Sequence, residues 1–190
     1  MMRCFVAVDL ELPTRTPLAS LVREKLPRHR DVRWCTDRQL HITLKFLGEV
    51  SDKQITAVCN AVKEASHSVE PFKIRVSGLG AFPETRNPRV FWAGVEDPEE
   101  GCARWVAAAD PLFAELGFPP EDRAYHPHIT LGRVKGTDGG RLVQRLLSEL
   151  TPPSPPAMTI KEIVLFESRL TPTGAIYTAR YRAKLGGATQ

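Results

Sequence analysis

The chain has 190 residues, 42% of them hydrophobic and 25% charged, and a formal net charge of +4. These proportions are typical of a compact globular protein and exclude wholesale disorder, collagen and coiled coil. No apolar run approaches the roughly 18 residues that a membrane-spanning helix needs, so we expect no membrane partner. The basic residues are 18 arginines and 8 lysines. Because the planar arginine guanidinium can donate two parallel hydrogen bonds to one phosphate, this composition permits a nucleic-acid or nucleotide partner without demonstrating one.

The four cysteines are widely separated, and no two form a CxxC pair. A chain of this length can build its own core without disulfides. We therefore expect reduced thiols and a cytoplasmic location, and the apolar run near the N-terminus is predicted to be a strand rather than a signal peptide. The cysteines are Cys4, Cys35, Cys59 and Cys102.

The first half of the chain predicts three strands and two helices. An apolar strand over residues 4–11 precedes a helix with apolar residues at helical spacing. Residues 40–47 then alternate with period two and stop at Gly48, which indicates a strand with two different faces. A helix follows over residues 55–65, and residues 72–76 alternate as a third strand.

The second half repeats this order. The tetrapeptide HITL occurs at residues 41–44 and again at 128–131. We predict one domain over residues 1–190 that contains an internal repeat of about 87 residues, with copies near 3–88 and 89–184. The predicted elements are a strand at 90–95, a helix at 99–116, a strand from 128, a helix around 142–150, a stiff connector at 152–156 and strands at 158–166 and 175–182.

This pattern predicts an α+β fold with two lobes related by a pseudo-twofold axis. Each lobe should be an antiparallel sheet with helices on its outer face, and a groove should lie between the lobes. Side chains two residues apart share one face of a strand. His41 and Thr43 should therefore face the groove from one lobe, and His128 and Thr130 from the other.

Two histidines that face one phosphate can perform general acid and base catalysis. Near neutral pH one imidazole can accept a proton from water while the other donates a proton to the departing oxygen. Threonine hydroxyls can donate to the non-bridging phosphate oxygens as charge develops. A single His-x-Thr is a weak signal, but two copies in equivalent positions make phosphodiester hydrolysis the favoured reaction.

Side chains near the two motifs are harder to assign. Lys45 has the parity of His41, and either a phosphate contact or a solvated position is open. His126 precedes a proline, which favours a structural or substrate-edge role. Arg133 has core-side parity unless Gly132 introduces a bulge that turns it towards the groove. The aromatic residues Phe5, Phe46 and Trp92 are expected in the core.

Residues 41–48 (HITLKFLG), 125–133 (YHPHITLGR) and 3–10 (RCFVAVDL) resemble the two-histidine phosphoesterase family. The most similar branch is that of the RNA 2',3'-cyclic phosphodiesterases, historically called 2'-5' RNA ligases. The resemblance implies opening of a 2',3'-cyclic phosphate to a 2'-phosphomonoester without metal or other cofactor. It also implies that His41 is the proton donor, that His128 is the proton acceptor and that Thr43, Thr130 and Arg133 bind phosphate. The implied partner is RNA with a 2',3'-cyclic phosphate end or a cyclic nucleotide, and no obligate protein partner is expected.

Three alternatives stay open at this point. A zinc hydrolase could use His41, His126 and His128 as ligands. A noncatalytic RNA-binding module would explain the arginine excess, although no RNP or GxxG signature is present. Ligation of RNA through a 2'-5' linkage, or hydrolysis of small nucleoside cyclic phosphates, could be the main role. The sequence does not distinguish these substrates and does not set the base preference or the oligomeric state.

Overall fold

The computed structural model describes residues 1–172 and 174–187, which form an α+β fold with nine strands and four α-helices. Within these residues, no helix has both the length and the apolar character to cross a bilayer. The elements are β1 (Met2–Asp9), α1 (Leu12–Ser20), β2 (Val32–Trp34), β3 (His41–Val50), α2 (Ile55–His67), β4 (Phe72–Phe82), β5 (Val90–Glu96), α3 (Gly101–Glu115), β6 (His128–Val134), α4 (Thr137–Glu149), β7 (Met158–Ile160), β8 (Glu162–Thr171) and β9 (Gly174–Lys184).

The strands form a curled antiparallel sheet in the order β7-β4-β5-β6-β3-β1-β8-β9, and β2 pairs with β6 outside this path. The two halves of the sheet meet at β3 and β6, which are joined through the single residue pair Ile42 and Ile129. On either side of this junction the arrangement is equivalent, because β1 flanks β3 and β5 flanks β6. The expected α+β class with two similar sheet halves is confirmed.

The two halves of the sheet do not coincide with the two halves of the sequence. Strand β4 pairs with β5, although a copy boundary near residue 88 places them in different repeats. Strand β8 likewise returns from the second half to pair with β1. Each half of the sheet is therefore built from both predicted copies. The strand expected at 158–166 is two strands separated at Lys161, and the short strand β2 was not predicted.

One face of the sheet packs against the helices and the other lines a groove. The helix-side core contains Val6 and Val8 of β1 together with Trp105 and Phe113 of α3. On the opposite face a smaller buried cluster comprises Phe5, Ala7, Val164 and Phe166, with Tyr177 packed against it. Because alternate residues of β1 belong to different clusters, the groove has an aromatic floor at this end of the sheet.

Two irregularities in β3 change the faces on which its side chains lie. The pairing with β1 skips Leu44 and again Leu47, so each is an extra residue in a bulge. After the first bulge, Lys45 points into the helix-side core and is only 2% exposed. Phe46 then points to the groove side and is 58% exposed. The expectation that Phe46 lies in the core is wrong, since strict alternation ends at Leu44.

Candidate active site

His41 is the first residue of β3, and its ring is fixed by two hydrogen bonds. Nδ1 donates to the backbone carbonyl of Gln39 at 2.7 Å, and Nε2 lies 3.0 Å from Oγ1 of Thr43. A carbonyl can only accept, so the neutral ring carries its proton on Nδ1 and has its lone pair on Nε2. Phe5 lies 4.8 Å from the ring and Tyr177 contacts it edge-on at 5.3 Å, measured between centroids.

His128 is the first residue of β6 and is held in the same way. Its Nδ1 donates to the backbone carbonyl of His126 at 2.8 Å, so the lone pair of the neutral ring is again on Nε2. Phe82 contacts the ring edge-on, with centroids 4.9 Å apart. Each histidine therefore opens its strand, uses the carbonyl two residues earlier as its acceptor and has an aromatic ring beside it.

The strand register brings the two motifs together. Because β3 and β6 are antiparallel and Ile42 lies opposite Ile129, continuation of this register places His41 opposite Thr130 and Thr43 opposite His128. The paired isoleucines are fully buried in the core, so the four polar side chains lie on the opposite face. The four residues thus surround one small area, with the imidazoles at diagonal corners.

Both imidazoles have lowered pKa values and are neutral near pH 7. Burial lowers the pKa of His41 to about 4, and the charges of Arg133 and His128 act in the same direction, while the Gln39 carbonyl and Asp9 oppose them. Burial also lowers the pKa of His128, assisted by His126 and Arg133. The site therefore favours an anion, because a bound negative charge would relieve the penalty on a protonated ring.

Arg133 reaches the groove because β6 contains a bulge. Its pairing with β5 skips Leu131, so Leu131 and Gly132 are both buried while Arg133 is exposed. The anticipated bulge is present, one residue before Gly132. Gly132 has a separate role, since a Cβ there would lie 2.4 Å from the Trp34 ring that covers it.

Two adjacent cavities share Thr43 and Phe46 in their walls. The first has a volume of about 480 Å³ and is lined by His41, Thr130 and Arg133. The second, of about 350 Å³, is lined by His128. All five predicted site residues therefore line this pair of cavities. A group bound beside Thr43, where the two cavities adjoin, could contact both histidines.

Several residues that line the cavities were not predicted from the sequence. Arg3, Arg33 and Tyr177 belong to the cavity of His41. Tyr177 lies on β9, far from either motif in sequence, and only the return of β8 and β9 to β1 brings it there. The alternation of residues within the two motifs does not predict that Tyr177 lies near them. For Arg3 and Arg33, the only indication in the sequence was the excess of arginine over lysine, which is compatible with arginines at a phosphate site.

The ambiguous neighbours have clear positions. Lys45 contacts no groove-facing motif side chain, because its Nζ donates to Asp110 at 2.7 Å and to the carbonyl of Pro119 at 3.0 Å. Full solvation is therefore wrong for Lys45, whose ammonium is paired with Asp110 where both residues line the cavity of His128. His126 is exposed, and its ring centroid lies 5.7 Å from that of Phe82, at the edge of the second cavity. Phe5 is buried as expected, but on the groove side.

The described residues contain no cluster of three or more His, Cys, Asp or Glu side chains arranged to hold a metal ion. His41 and His128 instead direct their Nδ1 atoms to the backbone carbonyls of Gln39 and His126, which precede the two strands. The three histidines of the zinc alternative are therefore not assembled as a ligand set. All four cysteines are free thiols.

A sequence model of the family described as LigT-like phosphoesterase matches the chain twice, over residues 10–92 and 94–177. The RNA 2',3'-cyclic phosphodiesterase of Methanothermobacter thermautotrophicus is 37% identical and is aligned over 93% of this chain and 95% of its own length. The RNA 2',3'-cyclic phosphodiesterase of Thermotoga maritima is 30% identical, over 98% of this chain and 97% of its own length.

Solved structures share the fold. A crystal structure of a Thermus thermophilus protein superposes with a TM-score of 0.78 at 28% identity, covering 99% of this chain and 100% of that chain. A crystal structure of E. coli LigT complexed with 3'-AMP gives a TM-score of 0.76 at 26% identity, covering 97% and 98% of the two chains. The similarity therefore extends over both halves of the sheet and the groove between them.

Proposed function

The chain belongs to the LigT-like phosphoesterase family, and from this premise we propose that it hydrolyses RNA 2',3'-cyclic phosphodiester ends to 2'-phosphomonoesters with a pair of histidines and no metal ion. The names of the aligned relatives supply the substrate class. The observation that carries the chemistry is the matched orientation of His41 and His128, each of which donates from Nδ1 to a backbone carbonyl and has its lone pair on Nε2.

In this reaction His128 is the base and His41 is the acid. Nε2 of His128 accepts a proton from a water molecule as the water oxygen forms a bond to phosphorus. The bond from phosphorus to the 3'-oxygen breaks, and protonated Nε2 of His41 delivers its proton to that oxygen. The product has a 2'-phosphate and a free 3'-hydroxyl, and the two rings regain their starting protonation states by exchange with solvent.

The substrate itself helps to create the acid. Burial and the charge of Arg133 keep the pKa of His41 near 4. A cyclic phosphodiester carries one negative charge, and placing it beside the ring favours the imidazolium form. The proton required by the leaving oxygen is therefore taken up as the phosphate binds.

Thr43, Thr130 and Arg133 stabilise the charge that develops on the non-bridging oxygens. The Thr43 hydroxyl donates to Nε2 of neutral His41 and becomes available to the phosphate once that ring is protonated. The Thr130 hydroxyl can donate one hydrogen bond, and the guanidinium can donate two in parallel. Donors positioned before the reaction are effective because they need no reorganisation in the transition state. All three side chains line the cavity of His41, on the side where the proposed leaving oxygen lies.

The direct test is incubation of the protein with an oligonucleotide that ends in a 2',3'-cyclic phosphate, in excess chelator, followed by identification of the product. We expect a 2'-monoester formed at a rate that chelation does not change. A 3'-monoester would contradict the assigned leaving group, and a rate abolished by chelation and restored by zinc would support the zinc hydrolase. Binding of the oligonucleotide without turnover would support the pure binding module.

We further propose that residues 1–190 form one bilobed domain derived from two copies near 3–88 and 89–184. The double match of the family model supports this division, since its two segments nearly adjoin. The exchange of β4 and β8 between the halves of the sheet then makes either copy incomplete alone. Four free thiols favour a reducing compartment, and a cytoplasmic location is our proposal.

A further inference from the structure

Arg33 and Arg133 face each other directly across the β2–β6 pair. Both side chains are exposed, and both line the cavity of His41. Like charges in directly opposite positions of an antiparallel pair are destabilising. A bound anion would relieve the repulsion between the two arginines.

The surroundings supply no carboxylate for either guanidinium. In the described part of the chain, Arg33 contacts only the carbonyl oxygen of Pro172, at 3.5 Å, and Arg133 has no ion pair. On the neighbouring hairpin two exposed arginines are paired, since Arg180 contacts Glu167 and Arg182 contacts Asp9 at 3.2 Å. Arg33 and Arg133 therefore bring two positive charges without a carboxylate partner into the cavity that holds the reacting group.

The two arginines are not equivalent in their relation to the histidines. Arg133, but not Arg33, is among the charges that lower the pKa values of both His41 and His128. Arg33 instead extends towards Pro172 at the connection between β8 and β9. The Arg133 guanidinium therefore lies where it can bind the reacting phosphate, and that of Arg33 lies further out on the wall of the same cavity.

The proposed reaction fixes the direction in which an RNA end would run. His41 protonates the 3'-oxygen, so the terminal ribose lies on the His41 side and the attacking water lies on the His128 side. The rest of the RNA continues from the 5'-oxygen of that ribose through the same cavity. The next negative charge along this path is the internal phosphodiester that precedes the terminal nucleotide.

We propose that Arg33 binds this penultimate phosphodiester, so that the enzyme selects oligonucleotide ends over single nucleoside 2',3'-cyclic phosphates. This inference rests on the proposed function and adds that the enzyme recognises substrates of at least two nucleotides. A contact between one guanidinium and one phosphate is independent of the base, because the phosphate carries no sequence information. The carbonyl of Pro172 holds Arg33 in place until the phosphate replaces it.

The test compares three substrates with the same terminal nucleoside cyclic phosphate. They are the nucleoside alone, a dinucleotide with an internal phosphodiester and the same dinucleotide with a neutral methylphosphonate linkage. We expect the wild-type protein to prefer the charged dinucleotide in kcat/KM by about tenfold or more, and Arg33→Gln to reduce this preference about tenfold, mainly through KM. Arg38→Gln is the matched control, since it removes the same charge from an exposed turn outside the cavity.

The methylphosphonate linkage should remove the same preference from the wild-type protein. If the guanidinium and the phosphodiester contact each other, the effects of Arg33→Gln and of the neutral linkage will not multiply. Effects that multiply, or an Arg33→Gln preference equal to that of the wild type, would overturn the inference. Turnover of none of the three substrates by wild-type protein would instead overturn the proposed function, and this inference with it. Melting temperatures of both variants report that they are folded, and Arg33→Gln should be no less stable than the wild type because a like-charge pair is removed.

Discussion

His41 and His128 are held by the same hydrogen bond in equivalent positions of the sheet. Each ring donates from Nδ1 to the carbonyl two residues earlier, at 2.7 Å for His41 and 2.8 Å for His128. Both therefore present Nε2, and their tautomers are the same. Their surroundings differ, since Phe5 and Tyr177 enclose His41 while the His128 ring contacts Phe82. This difference in burial allows chemically identical groups to take different roles.

The pH dependence should differ between kcat/KM and kcat. In the free protein the pKa of His41 is about 4 and that of His128 lies below its ordinary value, so the singly protonated pair is most populated on the acid side of pH 6.5. The bell-shaped profile of kcat/KM should peak there. Bound phosphate raises these pKa values, and the kcat profile should peak at higher pH. Coincident profiles, or a rate that rises throughout from about pH 5 to about pH 9, would contradict the paired imidazoles.

Arg133 should act on both the rate and its pH dependence. Replacement by Gln removes a donor to the non-bridging oxygens and should lower kcat by about 10²-fold. Because Arg133 lowers the pKa values of both histidines, its removal raises them and should shift the kcat/KM optimum to higher pH. Arg133→Lys keeps the charge but not the two parallel hydrogen bonds, so it should retain the wild-type optimum at a reduced rate. An unchanged optimum in Arg133→Gln would argue against this electrostatic role.

The buried ion pair between Lys45 and Asp110 should respond unequally to loss of either member. The Lys45 side chain is 2% exposed and that of Asp110 is 25% exposed. Asp110→Asn leaves a buried ammonium with the Pro119 carbonyl and should lower the free energy of unfolding by about 3 kcal/mol. Lys45→Met keeps an apolar stem and leaves a carboxylate that water can reach, so it should cost less.

Urea denaturation of the two variants measures this difference. The matched control is Arg145→Gln, which breaks a pair with Glu149 in which both side chains are 61% exposed. It should change the free energy of unfolding by no more than about 0.5 kcal/mol. Equal losses for Lys45→Met and Asp110→Asn would show that burial of the ammonium is not the dominant cost.

Two adjacent glycines of α4 should respond in opposite directions to replacement by alanine. A Cβ on Gly140 would lie 3.6 Å from Pro88, which is ordinary contact, so Gly140→Ala should stabilise the protein by about 0.5–1 kcal/mol through helix propensity. A Cβ on Gly139 would lie 2.9 Å from the backbone oxygen of Asp31. Gly139→Ala should therefore destabilise by about 1–3 kcal/mol. Denaturation midpoints compare the two directly, and stabilisation by both would contradict the predicted contact.

Periodicity predicted the strands and the residues of the two motifs because alternation holds over short segments. It identified His41, Thr43, His128 and Thr130 as a group on one face, and the register at Ile42 and Ile129 agrees with that grouping. Alternation cannot predict a bulge, because the extra residue is defined only by the partner strand. Lys45 and Phe46 were therefore assigned to the wrong faces.

The exchange of strands between the two sheet halves was also beyond the sequence pattern. A repeat predicts the order of elements but not which copy of a strand completes which half of the sheet. Tyr177 reaches His41 only because β8 and β9 pair next to β1. The opposition of Arg33 and Arg133 likewise depends on β2, a strand of three residues that is too short to show periodicity.

Replacing the 3'-oxygen of the cyclic phosphate by sulfur tests the roles of the two histidines most directly. With the ordinary substrate, His41→Ala and His128→Ala should each lower kcat by about 10²- to 10⁴-fold, and His67→Ala, at an exposed position outside both cavities, should not. A thiolate leaves without needing a proton, so the sulfur substrate should restore most of the rate of His41→Ala and little of that of His128→Ala. If the sulfur substrate restored the rate of His128→Ala instead, or of neither variant, it would contradict the assignment of His41 as the acid that protonates the leaving oxygen.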